Sequence, residues 1–226
     1  NDASLESYET NFGVSVQNIS VADIATSEII YSKFLEGLSH YNPDQPLILI
    51  GCAPCQGFTA HRKKNWNEDD HRNDLITAFT KVAKKLKPEC IIIENVPELL
   101  SHKYWDYFNF MRQQLCKLGY TVKPQIQNLA EFGVPQERFR ALIVAMKQDF
   151  SMPLGFLNHQ QFRTTRDAIF DLKKLNAGES DSIDQLHKAV KHKQSTIDVI
   201  RAVPENGGSR PAGVGPNCLQ SFKGFA

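Results

Sequence analysis

The stretch Leu47-Ile48-Leu49-Ile50-Gly51-Cys52-Ala53-Pro54-Cys55-Gln56-Gly57-Phe58 is the most informative part of the chain for its fold. Its apolar start predicts a buried strand, which breaks at Gly51 into a loop that holds two cysteines and a proline. Open α/β sheets bind their ligands beyond the carboxyl ends of the strands. The loop is therefore the first candidate for an active site.

Cys55 is the residue of this loop best suited to nucleophilic chemistry, which a cysteine performs as its thiolate. Pro54 fixes the backbone before it, Gln56 offers an amide after it, and the basic run 61–64 follows. A buried core cysteine is the alternative, since free cysteines are often buried. Cys52 and Cys55 also form a Cys-x-x-Cys pair, typical of redox sites and of half a zinc site. The remaining cysteines stand singly, so zinc is not expected, whereas the redox alternative stays open.

A second polar cluster follows the apolar run 90–93, which predicts another buried parallel strand. This strand delivers Glu94 and Asn95 to the same edge of the sheet as Cys55. A carboxyl group at the tip of a buried strand loses water, so its pKa tends to rise and it can donate a proton near neutral pH. A helix cap or a salt bridge is the alternative role for Glu94.

A third cluster, Gln136, Arg138 and Arg140, precedes the apolar run 141–145. In a strand that begins near Gln136, alternation places these three side chains on one face. Two guanidinium groups and an amide on one face suit a phosphate or the polar edge of a base. A solvent-facing surface is the alternative.

The order of predicted elements indicates the fold class. Helices are expected over 3–10, 74–87 and 99–118, and strands over 14–18 and 120–127, which predicts an α/β fold with a mostly parallel sheet. Asp23 follows the strand 14–18 and either binds a ligand amine or caps a helix that begins near Ala25. The pattern weakens after Ser151, so we expect a catalytic domain over residues 1–150 and an irregular region over 151–226. The basic cluster at 188–193 is either a surface for a nucleic-acid backbone or a solvated face.

Composition places the chain among ordinary globular proteins. Its 226 residues are 41% hydrophobic and 23% charged, and the net charge is +1. No apolar run approaches membrane-spanning length, and the first residues lack a signal-peptide pattern, so no membrane partner is expected. Five cysteines without framework spacing suit a reducing compartment, which predicts the cytoplasm. The chain starts without Met and within an expected helix, so pieces are expected to be missing at both ends.

Taken together, the ordered set of motifs resembles the cytosine-C5 DNA methyltransferase family in its bacterial form, over nearly the whole chain. The motifs are Pro54-Cys55-Gln56, Glu94-Asn95-Val96 and Gln136-Glu137-Arg138-Phe139-Arg140. Weaker similarity is found in the segments 7–13, 72–75, 165–169 and 201–204. The resemblance implies a Rossmann-like fold that depends on S-adenosyl-L-methionine, with the start of a small target-recognition region after residue 151.

The resemblance also implies roles for the catalytic residues. Cys55 would attack carbon 6 of a cytosine flipped out of double-stranded DNA. Glu94 would neutralise ring nitrogen 3 and hold the exocyclic amine. Arg140 would bind the ring carbonyl, and Arg138 would hold a phosphate and the local loop.

Further residues would bind substrate and cofactor. By resemblance, the substrate contacts are Gln56, Thr59, Arg62, Asn95 and Gln136, and the cofactor contacts are Asp23, Ile24, Pro54 and Leu75. The family's opening Phe-x-Gly-x-Gly loop and its ninth and tenth motifs are not in this sequence, so the chain alone is expected to be an incomplete catalyst. A cognate restriction endonuclease and a complementary chain that supplies the missing motifs are the implied protein partners. A transfer-RNA methyltransferase of the same family and a non-catalytic DNA-binding remnant are the alternatives.

Overall fold

The computed structural model describes residues 2–38, 41–53, 74–204, 210–211 and 213–215. The chain forms two compact units, Asn1–Asp167 and Ala168–Ala226. The helices are α1 (Asp2–Phe12), α2 (Val21–Thr26), α3 (Glu28–Glu36), α4 (Asp74–Leu86), α5 (Trp105–Cys116), α6 (Thr165–Ile169) and α7 (Gln194–Arg201). The strands are β1 (Ile48–Gly51), β2 (Cys90–Asn95), β3 (Thr121–Asn128) and β4 (Phe139–Met146). None of the described helices is long and apolar enough to span a membrane.

The strands form one four-stranded sheet in the order β1-β2-β4-β3. β1 pairs with β2 in parallel, whereas β4 pairs antiparallel with both β2 and β3. The α/β class is confirmed, but the expectation of a mostly parallel sheet is wrong for the described strands. A parallel crossover needs a dozen or more residues, usually including a helix, and the connection 129–138 between β3 and β4 is too short for one.

The core lies between β2 and two helices. On β2, Ile91 and Ile93 are buried, and α5 contributes Phe108, Met111 and Leu115, all fully buried. One side of helix α4 packs in this apolar cluster, and another side packs against α2 in a second apolar cluster. The helical spacing that predicts α4 therefore places apolar residues toward two neighbours at once.

β1 differs from the predicted buried strand. Ile48 is 59% exposed and Ile50 is 65% exposed, whereas Leu49 on the opposite face packs against the core clusters. β1 stands at the edge of the described sheet, and the described residues cover only the face that carries Leu49. An apolar run alone does not distinguish a central strand from an edge strand.

The N-terminal part also departs from the prediction. Residues 14–18 form no strand with the described residues, and the Val16 amide donates instead to Glu9 Oε1 at 3.0 Å. The following helix begins at Val21 rather than near Ala25, because Ser20 caps it by accepting from the Ala22 amide at 3.2 Å. Asp23 consequently lies in the first turn of α2 and not in a loop.

The second unit has little regular structure. Besides α7, it contains an isolated antiparallel bridge between Ser180 and Lys188. A ring nitrogen of His187 lies 2.7 Å from the Lys173 carbonyl oxygen and ties this turn to the preceding segment. The irregular character expected after residue 151 is therefore seen in this unit.

Candidate active site

Glu94 and Arg140 form an ion pair at the edge of the sheet where β2 ends. Arg140 Nε lies 2.7 Å from Glu94 Oε1, and the side chains are 19% and 42% exposed, respectively. Antiparallel pairing of β2 with β4 places Asn95 opposite Ala141, which brings the neighbouring Arg140 to the tip of β2. Arg140 Nη1 also donates to the Phe139 carbonyl at 2.7 Å. Two residues predicted separately from sequence thus meet at one point.

Asn95 connects β2 to the loop that follows β1. Its Nδ2 donates to the Ala53 carbonyl at 3.1 Å, and its Oδ1 accepts from the Val96 amide at 2.9 Å. The side chain is only 2% exposed. The Ala53 carbonyl belongs to the peptide bond that joins Ala53 to Pro54, so Asn95 orients the backbone at the start of the cysteine loop.

The remaining residues predicted in this loop lie outside the described part of the chain. They are Pro54, Cys55, Gln56, Thr59 and Arg62.

Cys52 is described, and it is a free, exposed thiol. Partial burial, and then the negative charge of Glu94, raise the pKa of Cys52, and an interaction with the Glu94 backbone only partly offsets them. Cys52 is therefore held as a neutral thiol near neutral pH, where a neutral thiol is a weak nucleophile.

A close contact fixes the end of β1. A Cβ atom added at Gly51 would overlap the ring of Phe79 on α4, so only glycine allows the ring to lie against this backbone. A small apolar cavity lies beside the contact, lined by Gly51, Ala53, Ile76, Phe79, Ile93, Leu99 and Met111. The base of the candidate site is thus apolar and closely packed below the polar pair.

The arginine motif begins differently from the prediction. β4 starts at Phe139, so Gln136 and Arg138 lie before the strand, where both are exposed. The strand expected to begin near Gln136 thus begins three residues later and includes only Arg140 of the three. Gly133 has φ +89°, and the Gln136 amide donates to the Val134 carbonyl at 2.8 Å, which keeps this segment in a turn.

Sequence reasoning missed Asn128, the last residue of β3. Its Oδ1 accepts from the amides of Ala130 at 3.2 Å and Arg138 at 3.1 Å. An asparagine directly before the short run 129–132 has the signature of an N-cap, and this signal is present in the sequence.

Three of the residues predicted to bind the cofactor lie in the described part of the chain. The Asp23 carboxylate is exposed and forms no hydrogen bond or ion pair with any other described residue. Ser20 is the N-cap of α2, so Asp23 does not cap this helix. The carboxylate oxygens of Asp23 are therefore available to accept a hydrogen bond from a ligand amine. Ile24 is buried in the cluster with α4, and Leu75 is partly buried in the first turn of α4. Of these three residues, Asp23 offers an exposed acceptor, whereas the Ile24 side chain is occupied by packing in the core.

Comparisons with known proteins agree with this arrangement. The family described as C-5 cytosine-specific DNA methylase matches residues 1–208. The chain is 35% identical over 174 residues to Type II methyltransferase M1.HphI of Haemophilus parahaemolyticus, covering 76% of this chain and 46% of that protein. It is 33% identical over 150 residues to Type II methylase M.HgiDII of Herpetosiphon aurantiacus, covering 66% and 42%. The chain thus spans about half the length of these relatives.

A solved structure supports the fold. It is described as a DNA modification methyltransferase encoded within a prophage of E. coli, and it matches 92% of this chain and 57% of its own with a TM-score of 0.60. At 22% identity this likeness concerns the fold alone, and it confirms the Rossmann-like class. The family match over residues 1–208 settles the membership: the chain belongs to the C-5 cytosine-specific DNA methylase family.

Proposed function

We propose that this chain carries the catalytic pocket of a DNA (cytosine-5-)-methyltransferase of a restriction-modification system. The observation that carries the proposal is the Glu94–Arg140 ion pair, which lies at the tip of β2 next to the bond from Asn95 to Ala53. An acid, a guanidinium group and the entrance to a cysteine loop are thereby placed at one edge of the sheet. Relatives named Type II methyltransferases give the restriction-modification context.

The proposed reaction begins at Cys55. Carbon 5 of cytosine is a poor nucleophile, and it becomes one when a thiolate forms a bond to carbon 6. The electrons of the 5,6 double bond then move into the ring, and ring nitrogen 3 receives a proton through Glu94, whose carboxylate in the pair with Arg140 first takes that proton from solvent. Once carbon 5 has taken the methyl group, ring nitrogen 3 returns its proton to the Glu94 carboxylate, a base removes the remaining proton of carbon 5, the 5,6 double bond forms again and Cys55 leaves as a thiolate.

Arg140 has donors for both a carboxylate and a base. A guanidinium group carries five N–H donors, of which Arg140 uses Nε for Glu94 and Nη1 for the Phe139 carbonyl. The remaining donors are proposed to bind the ring carbonyl of the cytosine. Arg140 would thus orient Glu94 and the base together, while the exposed Arg138 contacts a nearby phosphate.

The proposed cofactor is S-adenosyl-L-methionine, which supplies an electrophilic methyl group when it is bound. Asp23 would accept a hydrogen bond from the adenine amine, and Ile24, Leu75 and Pro54 would provide apolar contacts.

The proposed substrate is double-stranded DNA. Its target atoms are stacked in the duplex, so the cytosine has to be flipped out to reach the pocket. The proposed contacts with the DNA around the flipped cytosine are Gln56, Thr59, Arg62 and Gln136. Asn95 supports the pocket through its hydrogen bond to the Ala53 carbonyl. A cognate restriction endonuclease, and a complementary chain that completes the cofactor site, are the proposed protein partners. The cytoplasm is the proposed location.

A mechanism-based probe tests the proposal. Duplex DNA carrying 5-fluorocytosine, mixed with the protein and S-adenosyl-L-methionine, should give a denaturation-resistant adduct that maps to Cys55 by mass spectrometry, because fluorine cannot leave as a proton does. Cys55→Ala should form no adduct, and Cys52→Ser should form it normally. A reversible Cys52–Cys55 disulfide without any adduct would favour the redox alternative.

A second measurement does not depend on methyl transfer. Addition of the thiolate makes carbon 5 basic, so carbon 5 takes up a deuteron from heavy water. Loss of its original proton together with expulsion of the thiolate then leaves deuterium at carbon 5. Cytosine in duplex DNA should therefore incorporate deuterium at carbon 5 with the protein alone. If a version extended at both ends also gives neither exchange nor adduct while it still binds duplex, the DNA-binding remnant is favoured.

A further inference from the structure

Asn128 is a buried polar residue that the proposed mechanism does not use. It is 7% exposed, and one atom, Oδ1, accepts from the amides of both Ala130 and Arg138. Removing this oxygen would leave the two amides, in a largely buried place, without an acceptor. The free-energy cost of such unsatisfied donors exceeds the stabilisation that an exposed hydrogen bond contributes. The oxygen therefore holds two separate parts of the backbone together.

The two donors lie at opposite ends of the connection between β3 and β4. Ala130 lies just after β3, and Arg138 directly precedes β4. The Leu129 amide also donates to the Arg138 carbonyl at 2.9 Å, so both polar groups of the Arg138 backbone are bound. This clasp, defined by Asn128, Leu129, Ala130 and Arg138, closes the connection where β4 begins.

The clasp adjoins the residue pairs with which Arg140 enters the sheet. Asn128 pairs with Phe139, and Gln127 pairs with Arg140. Successive side chains of a strand point to opposite faces, so a slip of one residue would turn Arg140 away from Glu94. Arg138 is held by its backbone two residues before Arg140, which is close enough to exclude such a slip.

We propose that Asn128 is a positioning residue that fixes where Arg140 meets Glu94. The catalytic meaning of this placement rests on the proposed function, whereas the placement itself does not. Asn128 acts through the backbone of Arg138 and touches neither base nor cofactor. A useful counterpart is Asn158, which caps the 3₁₀ helix His159–Gln161 by accepting from the Gln160 amide at 3.0 Å. Asn158 thus caps one turn, whereas Asn128 caps a turn and also holds the next strand.

Three substitutions at Asn128 distinguish its role as the N-cap of the run 129–132 from its role in the clasp. Asn128→Ala removes both bonds, and Asn128→Asp keeps an acceptor oxygen in the same place. Asn128→Ser retains a short hydroxyl suited to capping Ala130 but without the reach to hold Arg138 as well. Asn158→Ala is the matched control, since it removes a cap elsewhere in the same unit.

The test is the coupling between Glu94 and Arg140, measured by NMR as the change that Glu94→Gln causes in the chemical shift of the Arg140 Nε–H, because the pair is worth too little for unfolding to resolve. In the Asn128→Ala and Asn128→Ser backgrounds the coupling should fall to less than half of its wild-type value. It should persist with Asn128→Asp and Asn158→Ala. Amide hydrogen exchange of Arg138 should become at least tenfold faster in the two variants that lose coupling.

Undiminished coupling in Asn128→Ser would overturn the proposal, and Asn128 would then be a helix cap only. The same conclusion follows if Arg138 exchange stays slow in that variant. If Asn128→Ala does not fold, Asn128→Ser gives the answer. Neither readout requires DNA or methyl transfer, so failure to form a Cys55 adduct would overturn the proposed function and leave the role of Asn128 standing.

Discussion

Arg140 Nε lies 2.7 Å from Glu94 Oε1, and this pair joins the two central strands of the described sheet. Glu94 is 42% exposed, so the pair contributes little to stability, about 0–1 kcal/mol for exposed pairs. Its importance is positional, because it places a carboxyl group and free guanidinium donors side by side.

Arg140→Ala should therefore affect chemistry much more than folding. We expect hydrogen exchange at carbon 5 of cytosine to slow by about 100-fold, the loss typical of removing one preorganised donor. Binding of the duplex should change little in a fluorescence anisotropy titration. Arg112→Ala, an exposed change on α5, is the control. An equal loss of binding and exchange would assign Arg140 to DNA backbone binding instead.

Asn95→Ala should reduce both stability and the rate of adduct formation at Cys55. It leaves the Ala53 carbonyl and the Val96 amide without their buried partner, which should lower the free energy of unfolding by about 1–3 kcal/mol. Asn95→Asp keeps the acceptor for Val96 but cannot donate to Ala53 when ionised. If Asn95→Asp forms the adduct at the wild-type rate, the bond to Ala53 does not orient the loop.

The pH dependence of Cys52 alkylation reports on Glu94. Because burial and then the Glu94 charge raise the pKa of Cys52, neutralising that charge with Glu94→Gln should lower the pKa toward its ordinary value. The thiolate is the reactive form, so iodoacetamide should label Cys52 faster at pH 8 in the variant than in the wild type. Mass spectrometry of the Cys52 peptide measures this, with exposed Cys116 as the internal control. Equal rates would mean that Glu94 does not influence this thiol.

Gly51→Ala should destabilise the first unit through Phe79. The added methyl group meets the Phe79 ring, and overpacking of this kind costs about 1–3 kcal/mol. Phe79→Leu shortens the side chain, so the double variant should lose less stability than the sum of the two single changes. Urea unfolding of all four proteins measures this. Strict additivity would show that the ring is not what excludes a side chain at Gly51.

Stability at high pH should depend on Tyr120. Burial, and then the charge of Glu89, raise the pKa of Tyr120, whose hydroxyl donates to the Pro88 carbonyl. Folding disfavours the ionised phenol, so this contribution is complete below the ordinary tyrosine pKa of about 10 and is lost as the pH rises through the higher folded value. The difference in urea unfolding free energy between wild type and Tyr120→Phe should thus favour the wild type at pH 8 and shrink above pH 10. A difference independent of pH would show that Tyr120 does not titrate differently in the folded protein.

Local patterns in the sequence were sufficient for several elements. The spacing of apolar residues over 74–87 predicted α4, and the continuous run from Cys90 predicted β2, because both depend on which faces are apolar. The ordered motifs around Cys55, Glu94 and Arg140 indicated the family, and the family match over residues 1–208 confirms it.

Other features depended on partners distant in the chain. The segment 14–18 alternates like a strand, yet its Val16 amide bonds to Glu9. The apolar run at β1 predicts burial of both faces, yet no described element covers the face of Ile48 and Ile50. Likewise, alternation could not show that β4 begins at Phe139 or that Arg140 meets Glu94. The types of α4 and β2 and the family motifs followed from the amino-acid sequence, since these reside in local periodicity and residue identity. Strand direction, register and the pairing of Glu94 with Arg140 required the folded chain, because hydrogen bonds between residues far apart in sequence select among arrangements that local patterns allow equally.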